Sequence, residues 1–342
     1  MSSPRPIEII GGGLAGLSLG LALRRAGVPV VILEAGSYPR HRVCGEFITG
    51  LDAETTARLG LAPFLADALR HREVAWFLAD TAHPARLQSL PSPALGLSRH
   101  ALDQRLAAAF VSAGGELRTH TRSTDLTPHA GRVFASGRQR GGSAWLGLKI
   151  HARNLTLTRD LELHLGDQAY VGLARIEDGR VNVCGLFRRR ALCARGPNLL
   201  LGYLQACGLS HLAARLATTD LDSASFCAVA ALDFQRTVAP STRVSLGDAC
   251  AMIPPFTGNG MAMAFQSAAL ALDPLLAWSR DAHPWPATSR QISTALRRRF
   301  RVRLASAAAL HPFLLSPPRQ RFLNVLTRAH LLPLRPLYAA LH

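Results

Sequence analysis

The stretch Ile7–Glu34, I-E-I-I-G-G-G-L-A-G-L-S-L-G-L-A-L-R-R-A-G-V-P-V-V-I-L-E, decides the fold. Ile7–Ile10 reads as a short buried strand. Leu14–Ala26 reads as a helix stopped by Gly27. Val28–Leu33 is a second buried strand, rich in β-branched residues. Between strand and helix the glycines fall at 11, 13 and 16, the G-x-G-x-x-G spacing. Gly11 permits the tight turn, Gly13 a close approach of backbone to a diphosphate, and Gly16 close packing of helix on strand. The free N–H groups of Leu14 and Ala15, with the helix dipole behind them, favour an anion. Glu34, followed by Ala35, ends the second strand. A carboxylate there accepts from ribose hydroxyls and repels a 2′-phosphate, which points to FAD or NAD rather than NADP at this site.

The α/β pattern does not continue directly. Leu51–Leu69 looks helical, Glu73–Leu90 strand-like, and His100–Ala113 helical. From Ala144 to Phe187 the texture changes to alternating strands, with Asp178-Gly179 as a hairpin turn. Two short helices follow, then strands at Phe226–Asp233 and Arg243–Leu246, a helix at Gly260–Trp278, and helices to the end, broken at Pro317-Pro318 and Pro333. The expected fold is α/β, with a discontinuous Rossmann-like FAD-binding domain, an inserted mostly antiparallel β substrate domain and C-terminal helices. The expected bounds are 1–71, 98–142 and 236–280 for the first, 72–97 and 143–235 for the second, and 281–342 for the helical region.

Composition narrows the class. The 342 residues are 48% hydrophobic and 18% charged, as in a globular protein with a large core. The net charge of +17 is almost wholly arginine, Lys149 being the sole lysine. The arginines are scattered without interleaved aromatics, so no nucleic-acid partner is expected. The six cysteines form no C-x-x-C pair and no Cys/His cluster with zinc spacing. No metal is expected, and free thiols fit a reducing cytoplasm. The glycine-rich opening runs into a strand rather than a cleavage site, so it is not read as a signal peptide. No long uninterrupted apolar run predicts a transmembrane helix.

A second informative segment is V-S-L-G-D-A-C-A-M-I-P-P-F-T-G-N-G-M at 244–261. A strand, the turn Gly247-Asp248, a rigid Pro254-Pro255 loop and a helix near Asn259–Gly260 follow one another. Asp248 is placed to accept from a ribityl hydroxyl. The helix would aim its positive end at the edge of a flavin where charge collects on reduction.

Here the chain resembles the geranylgeranyl-reductase-like flavoproteins, within the larger fold shared with the flavin aromatic hydroxylases. The match rests on G-G-G-L-A-G with Glu34, on P-R-H-R-V-C-G-E at 39–46, on G-D-A-C-A-M-I-P-P-F-T-G-N-G-M at 247–261 and, more weakly, on L-S-R-H-A-L-D-Q-R-L at 97–106. The resemblance implies FAD, with the ring between the two domains. It implies cofactor contacts from Arg42, Arg99, Asp248 and the loop Pro255, Gly258, Asn259, Gly260 and Met261, and places Cys44 and Gly45 beside the flavin, near the substrate. Glu46 reads equally as a local acid or a turn residue. Ser136, in A-S-G-R at 135–138, stands where many hydroxylases carry an acid linked to FAD and NADPH binding, and the stretch 121–134 is short for their three-stranded excursion. NADH or NADPH therefore stays an open electron donor beside a donor protein. The W-x-W-x-I-P halogenase signature is absent.

On Trp145–Ala152, alternation puts Gly147, Lys149 and His151 on one face. Lys149 there is either a substrate-facing cation or part of a solvated face. Ile292, Leu296, Phe300 and Leu304 recur every fourth residue of a basic C-terminal helix, which packs on its own protein and gives a secondary expectation of peripheral membrane contact. The function expected is reduction of a carbon–carbon double bond in an apolar prenyl or polyketide-like substrate by hydride from reduced flavin, with Cys44 or a water supplying the proton. Two alternatives stand: a monooxygenase hydroxylating an aromatic ring, and a flavin electron carrier.

Overall fold

A computed structural model describes residues 3–79, 81–138, 142–234, 243–329, 331 and 334–341. The opening folds as the sequence dictates. Strand β1 (Ile7–Ile10) enters helix α1 (Leu14–Arg25), and β2 (Val30–Leu33) returns parallel to β1. Every position from Leu14 to Leu23 is buried, so α1 is a core helix between other layers. After β3 (Phe47–Ile48) comes α2 (Ala53–Leu59). It is shorter than its apolar pattern suggests, because Gly60 takes the left-handed conformation and closes the helix there. Glu73–Leu90 resolves into two antiparallel strands, β4 (Leu69–Phe77) and β5 (Arg86–Gly96). Helix α3 (Arg99–Ser112) is capped by Ser98 and followed by β6 (Glu116–Arg118). The chain from 119 to 131 is irregular and carries no three-stranded excursion; β7 (Arg132–Phe134) follows.

Strands β8 (Trp145–Arg153), β9 (Leu161–Gly166), β10 (Ala169–Arg175) and β11 (Val181–Arg188) precede α4 (Pro197–Ala206) and α5 (Ser210–Ala217). The β10–β11 turn holds Asp178 and Gly179 at φ 60° and 67°, the expected tight turn. Strand β12 (Asp220–Ala230) starts earlier than its apolar residues indicate and carries a bulge between Asp222 and Cys227. The chain closes with β13 (Val244–Ser245), α6 (Gly260–Ser279), α7 (Trp285–Leu314), α8 (Pro317–Arg328) and α9 (Leu334–Leu341). The expected domain boundary at 236 and the break at Pro333 lie outside the described residues.

Two sheets result. One is parallel, in the order β13-β7-β1-β2-β6, so the strand after residue 243 joins strands from the first 134 residues. The other has eight strands, β12-β8-β11-β10-β9-β4-β5-β3, and all its pairings are antiparallel except β4–β9. Its edge strand β3 leads directly out of the loop at 39–46, tying the sheets together. On β8, Leu148, Ile150 and Ala152 pack under α4 and α5. Helix α6 is long and apolar enough to cross a membrane, yet 67% of its apolar window is buried in the core against α1, α2 and α7.

Candidate cofactor and substrate site

The two segments singled out in the sequence line one cavity of about 1270 Å³. Gly11, Gly13, Leu14 and Ala15 contribute from the first, and Gly247, Asp248, Pro255, Gly258, Gly260 and Met261 from the second. Glu34, Ala35, Arg42, Cys44, Gly45, Arg99 and Ser136 border the same space.

The turn into α1 is built for a bound anion. Gly11 sits at φ +109°, and a Cβ there would come within 2.4 Å of the Ala135 carbonyl oxygen; one on Gly16 would lie 2.1 Å from the Gly11 oxygen. These two glycines are demanded by the protein itself. Gly13 is different. A Cβ on it would meet nothing within 4 Å, so its missing side chain leaves room in the cavity. The N-terminus of α1 has no side-chain cap and no acid in its first turn, and the same holds for α6. Two uncapped positive helix ends opening into one cavity suit a diphosphate and a ring that gains negative charge on reduction. Asn259 does not line the cavity: its side-chain amide donates to the Leu341 carbonyl (2.6 Å), and its oxygen accepts from Thr49 (3.3 Å), leaving only its backbone near the helix start. Asp248 lines the cavity with its side chain exposed there, and desolvation by the surrounding protein raises its carboxyl pKa against the opposing pull of Arg99. Its carboxylate is available to a hydroxyl donor.

The Glu34 carboxylate accepts from the Gly12 and Gly36 backbone N–H groups (2.9 and 2.8 Å) and pairs with Arg40 (2.6 Å). Burial pushes its pKa up, but Gly36, Arg40 and Arg42 outweigh that and hold it below the ordinary value. Arg42 and Arg99 share a partner that the sequence did not flag. Asp103, fully buried on α3, takes a two-pronged bond from Arg99 (2.7 and 2.8 Å) and one from Arg42 (3.1 Å), so one carboxylate orients both cavity arginines.

Glu46 and Lys149 are placed differently from the expectation. Both have fully buried side chains and neither lines the cavity. Glu46 adopts φ 55°, which turns its side chain into the seam beneath β8. One carboxylate oxygen accepts from the Arg99 N–H (3.0 Å) and faces the Lys149 ammonium (3.5 Å); the other lies 2.6 Å from His151 Nε2. The Lys149 ammonium also donates to His41 Nδ1 (3.2 Å). The predicted face of β8 does turn toward the cofactor domain, but only Gly147 reaches the cavity; Lys149 and His151 are sealed behind the 41–46 loop. His41, His151 and Asp222 bring ligand atoms within 4.8 Å of one another, but the ammonium beside His41 puts positive charge at that spot, and we assign no metal. Cys44 does line the cavity, and burial pushes its thiol up, keeping it protonated.

Much of the remaining wall is apolar, with Trp76, Leu163, Leu165, Leu186, Phe256 and Leu314 among its lining. Glu162 borders it but is satisfied by Thr158, His164 and Arg215; burial raises its pKa, yet those partners bring it down to about 2. Tyr170 on β10 also lines the wall. Its hydroxyl lies 3.4 Å from His311 Nε2 and takes a hydrogen bond from the Phe256 backbone. Behind it, His311 is enclosed by the rings of Trp145, Phe234 and Phe256, and burial lowers its pKa to about 4. Neither Tyr170 nor His311 carries a motif that would reveal it in the sequence.

Residues 5–153 match the family model of the FAD binding domain. The match assigns an FAD-binding domain to the N-terminal part of the chain, and the whole fold has the architecture of flavin-dependent monooxygenases. Among individual proteins, the chain is 30% identical over 138 residues to menaquinone reductase of Mycolicibacterium smegmatis; the match covers 40% of this chain and 34% of that protein, so it spans about a third of the relative's length. Pseudomonas aeruginosa PqsL in complex with 2-aminobenzoylacetate is similar over 92% of this chain and 98% of its own, with a TM-score of 0.72 at 16% identity. Klebsiella pneumoniae HpxO complexed with FAD is similar over 98% and 94%, with a TM-score of 0.71 at 17% identity. The fold described above is thus shared with a structure that holds FAD.

Proposed function

We propose that this chain is a geranylgeranyl-reductase-like enzyme that reduces a carbon–carbon double bond in an apolar, prenyl-bearing substrate. The observation that carries the reading is the continuity of the glycine-lined groove with an apolar chamber whose wall presents the Tyr170 hydroxyl. Likeness to menaquinone reductase supports it. Reduced FAD, held by Gly13, the start of α1 and Asp248, would supply the hydride for one alkene carbon. Tyr170 then gives its O–H proton to the neighbouring carbon, so two hydrogens are added and nothing leaves. Burial raises the Tyr170 pKa well above the ordinary phenol value; the Phe256 N–H opposes that as the proton departs, and the His311 N–H returns a proton to the phenolate, to be replaced in turn from solvent. Cys44, protonated and at the wall, is a second donor. The apolar lining excludes water and positions the chain. NADH, NADPH or a reduced partner protein loads the cofactor, and the six free thiols favour a reducing cytoplasm.

The second reading is a monooxygenase, favoured by the likeness in fold to PqsL. A cavity of this size counts against a carrier that passes electrons without a substrate of its own. The readings part under anaerobic conditions. Holoenzyme reduced with dithionite and mixed with menaquinone is expected to regain its oxidised spectrum and yield a product that stays two hydrogens heavier after its quinone ring is reoxidised in air, which a simple quinol does not. Reoxidation only on admitting oxygen, with an oxygen atom in the product, selects hydroxylation instead.

A further inference from the structure

The four most exposed large hydrophobic residues of the described chain lie together in sequence near its end: Val302 on α7, Phe322 and Val325 on α8, and Leu331 just beyond, at 54–69% exposure. The apolar stripe of α7 turns inward, with Ile292, Leu296 and Phe300 buried in the core. Helix α8 is two-faced. Gln320, Leu323, Asn324 and Thr327 line the cavity, while Phe322 and Val325, one turn apart, point the other way. Arg319 and Arg321 are exposed on the same helix, and Arg297, Arg298 and Arg301 on α7. Residues 282–342 contain ten arginines and not one aspartate or glutamate. Exposed phenylalanine and valine one turn apart, flanked by exposed arginines on the same helix, are characteristic of an interaction surface. A nucleic-acid surface would use the arginines but not the aliphatic residues.

We infer that the outer face of α8 docks on a bilayer bearing anionic headgroups, with Phe322 and Val325 in the apolar boundary and the arginines on the phosphates. The helix that touches the lipid is then also a wall of the chamber, giving a lipid-borne substrate a short path inward. This inference stands apart from the redox chemistry and is tested without turnover.

The test is flotation of holoenzyme with phosphatidylcholine vesicles and with vesicles containing phosphatidylglycerol, at low and high salt. The wild-type chain is expected to float with the anionic vesicles at low salt and to remain behind with the neutral ones. F322S/V325S, at exposed positions that leave flavin content unchanged, is expected to lower the bound fraction roughly tenfold. R319E/R321E is expected to lower it by a similar factor and to remove the salt dependence. A wild-type chain that does not float, that floats equally with neutral vesicles, or that is matched by F322S/V325S overturns the inference. Binding to a DNA duplex without flotation assigns the face to nucleic acid and overturns it as well.

Discussion

Glu46 and His151, 105 residues apart, meet at 2.6 Å with both side chains fully buried, and they pin the cofactor-lining loop to β8, the strand next to the edge of the substrate sheet. Lys149 and the Arg99 backbone complete the coordination of the carboxylate. Burial pushes the Glu46 pKa up, but His151 and Lys149 outweigh this, and the carboxylate stays ionised. Glu46→Gln leaves the Lys149 ammonium buried without its counter-charge. We expect it to cost about 3–5 kcal/mol of stability, measured by urea unfolding. Adding Lys149→Met should recover part of that loss, because the uncompensated charge is then gone. Additive losses would show that the two residues do not act as a pair.

Gly13 and Gly16 should separate cofactor binding from folding. Gly13→Val fills space that only a ligand would use, so the stability of the apoprotein should stay within about 0.5 kcal/mol of wild type. Its FAD affinity should fall by roughly a hundredfold or more, because the backbone no longer approaches the diphosphate. Gly16→Ala, whose Cβ meets the Gly11 oxygen at 2.1 Å, should destabilise the apoprotein itself. Fluorescence titration with FAD beside thermal melts of the apoproteins reads both effects.

Tyr170→Phe keeps the ring and removes the proton. We expect reduction of the cofactor by dithionite to be unaffected, while anaerobic reoxidation by menaquinone slows by about 10²–10⁴-fold, the usual worth of a positioned general acid. Equal reoxidation rates in the variant and wild type would transfer the role to Cys44, for which Cys44→Ala is the matching control.

Stability should respond to pH through His311. Burial lowers its folded pKa to about 4, against 6.5 in the unfolded chain. Between those values only the unfolded state takes up the proton. The stabilisation is therefore whole above pH 6.5 and is lost as pH falls toward 4. From pH 7 to pH 5 this one group should remove about 2 kcal/mol. His311→Gln should lose less than wild type over that interval, read as the change in urea midpoint.

The cofactor half of the site was legible because its signals are local. Glycines at 11, 13 and 16 act through their own backbone, and Glu34 follows at the end of the next strand. The 247–261 segment likewise carries its turn, prolines and helix start in one run. The substrate half was not legible, because its groups are joined only by long-range packing. Nothing near Tyr170 on β10 announces His311 on α7, and nothing near Arg42 announces Asp103. Alternation put Lys149 and His151 on the correct face of β8, but whether that face meets solvent, substrate or another loop depends on where residues 41–46 pass. The left-handed turn at Glu46 settles that, and a non-glycine residue gives no notice of such a turn.

The central claim is that two distant backbone segments enclose one FAD. The most direct measurement is the visible spectrum and FAD stoichiometry of the purified chain, alone and after titration with FAD. The account predicts a yellow protein holding one FAD per chain, with binding weakened both by Gly13→Val in the first segment and by Asp248→Ala in the second. A colourless protein that takes up no added FAD, or one whose FAD binding ignores both substitutions, would contradict it.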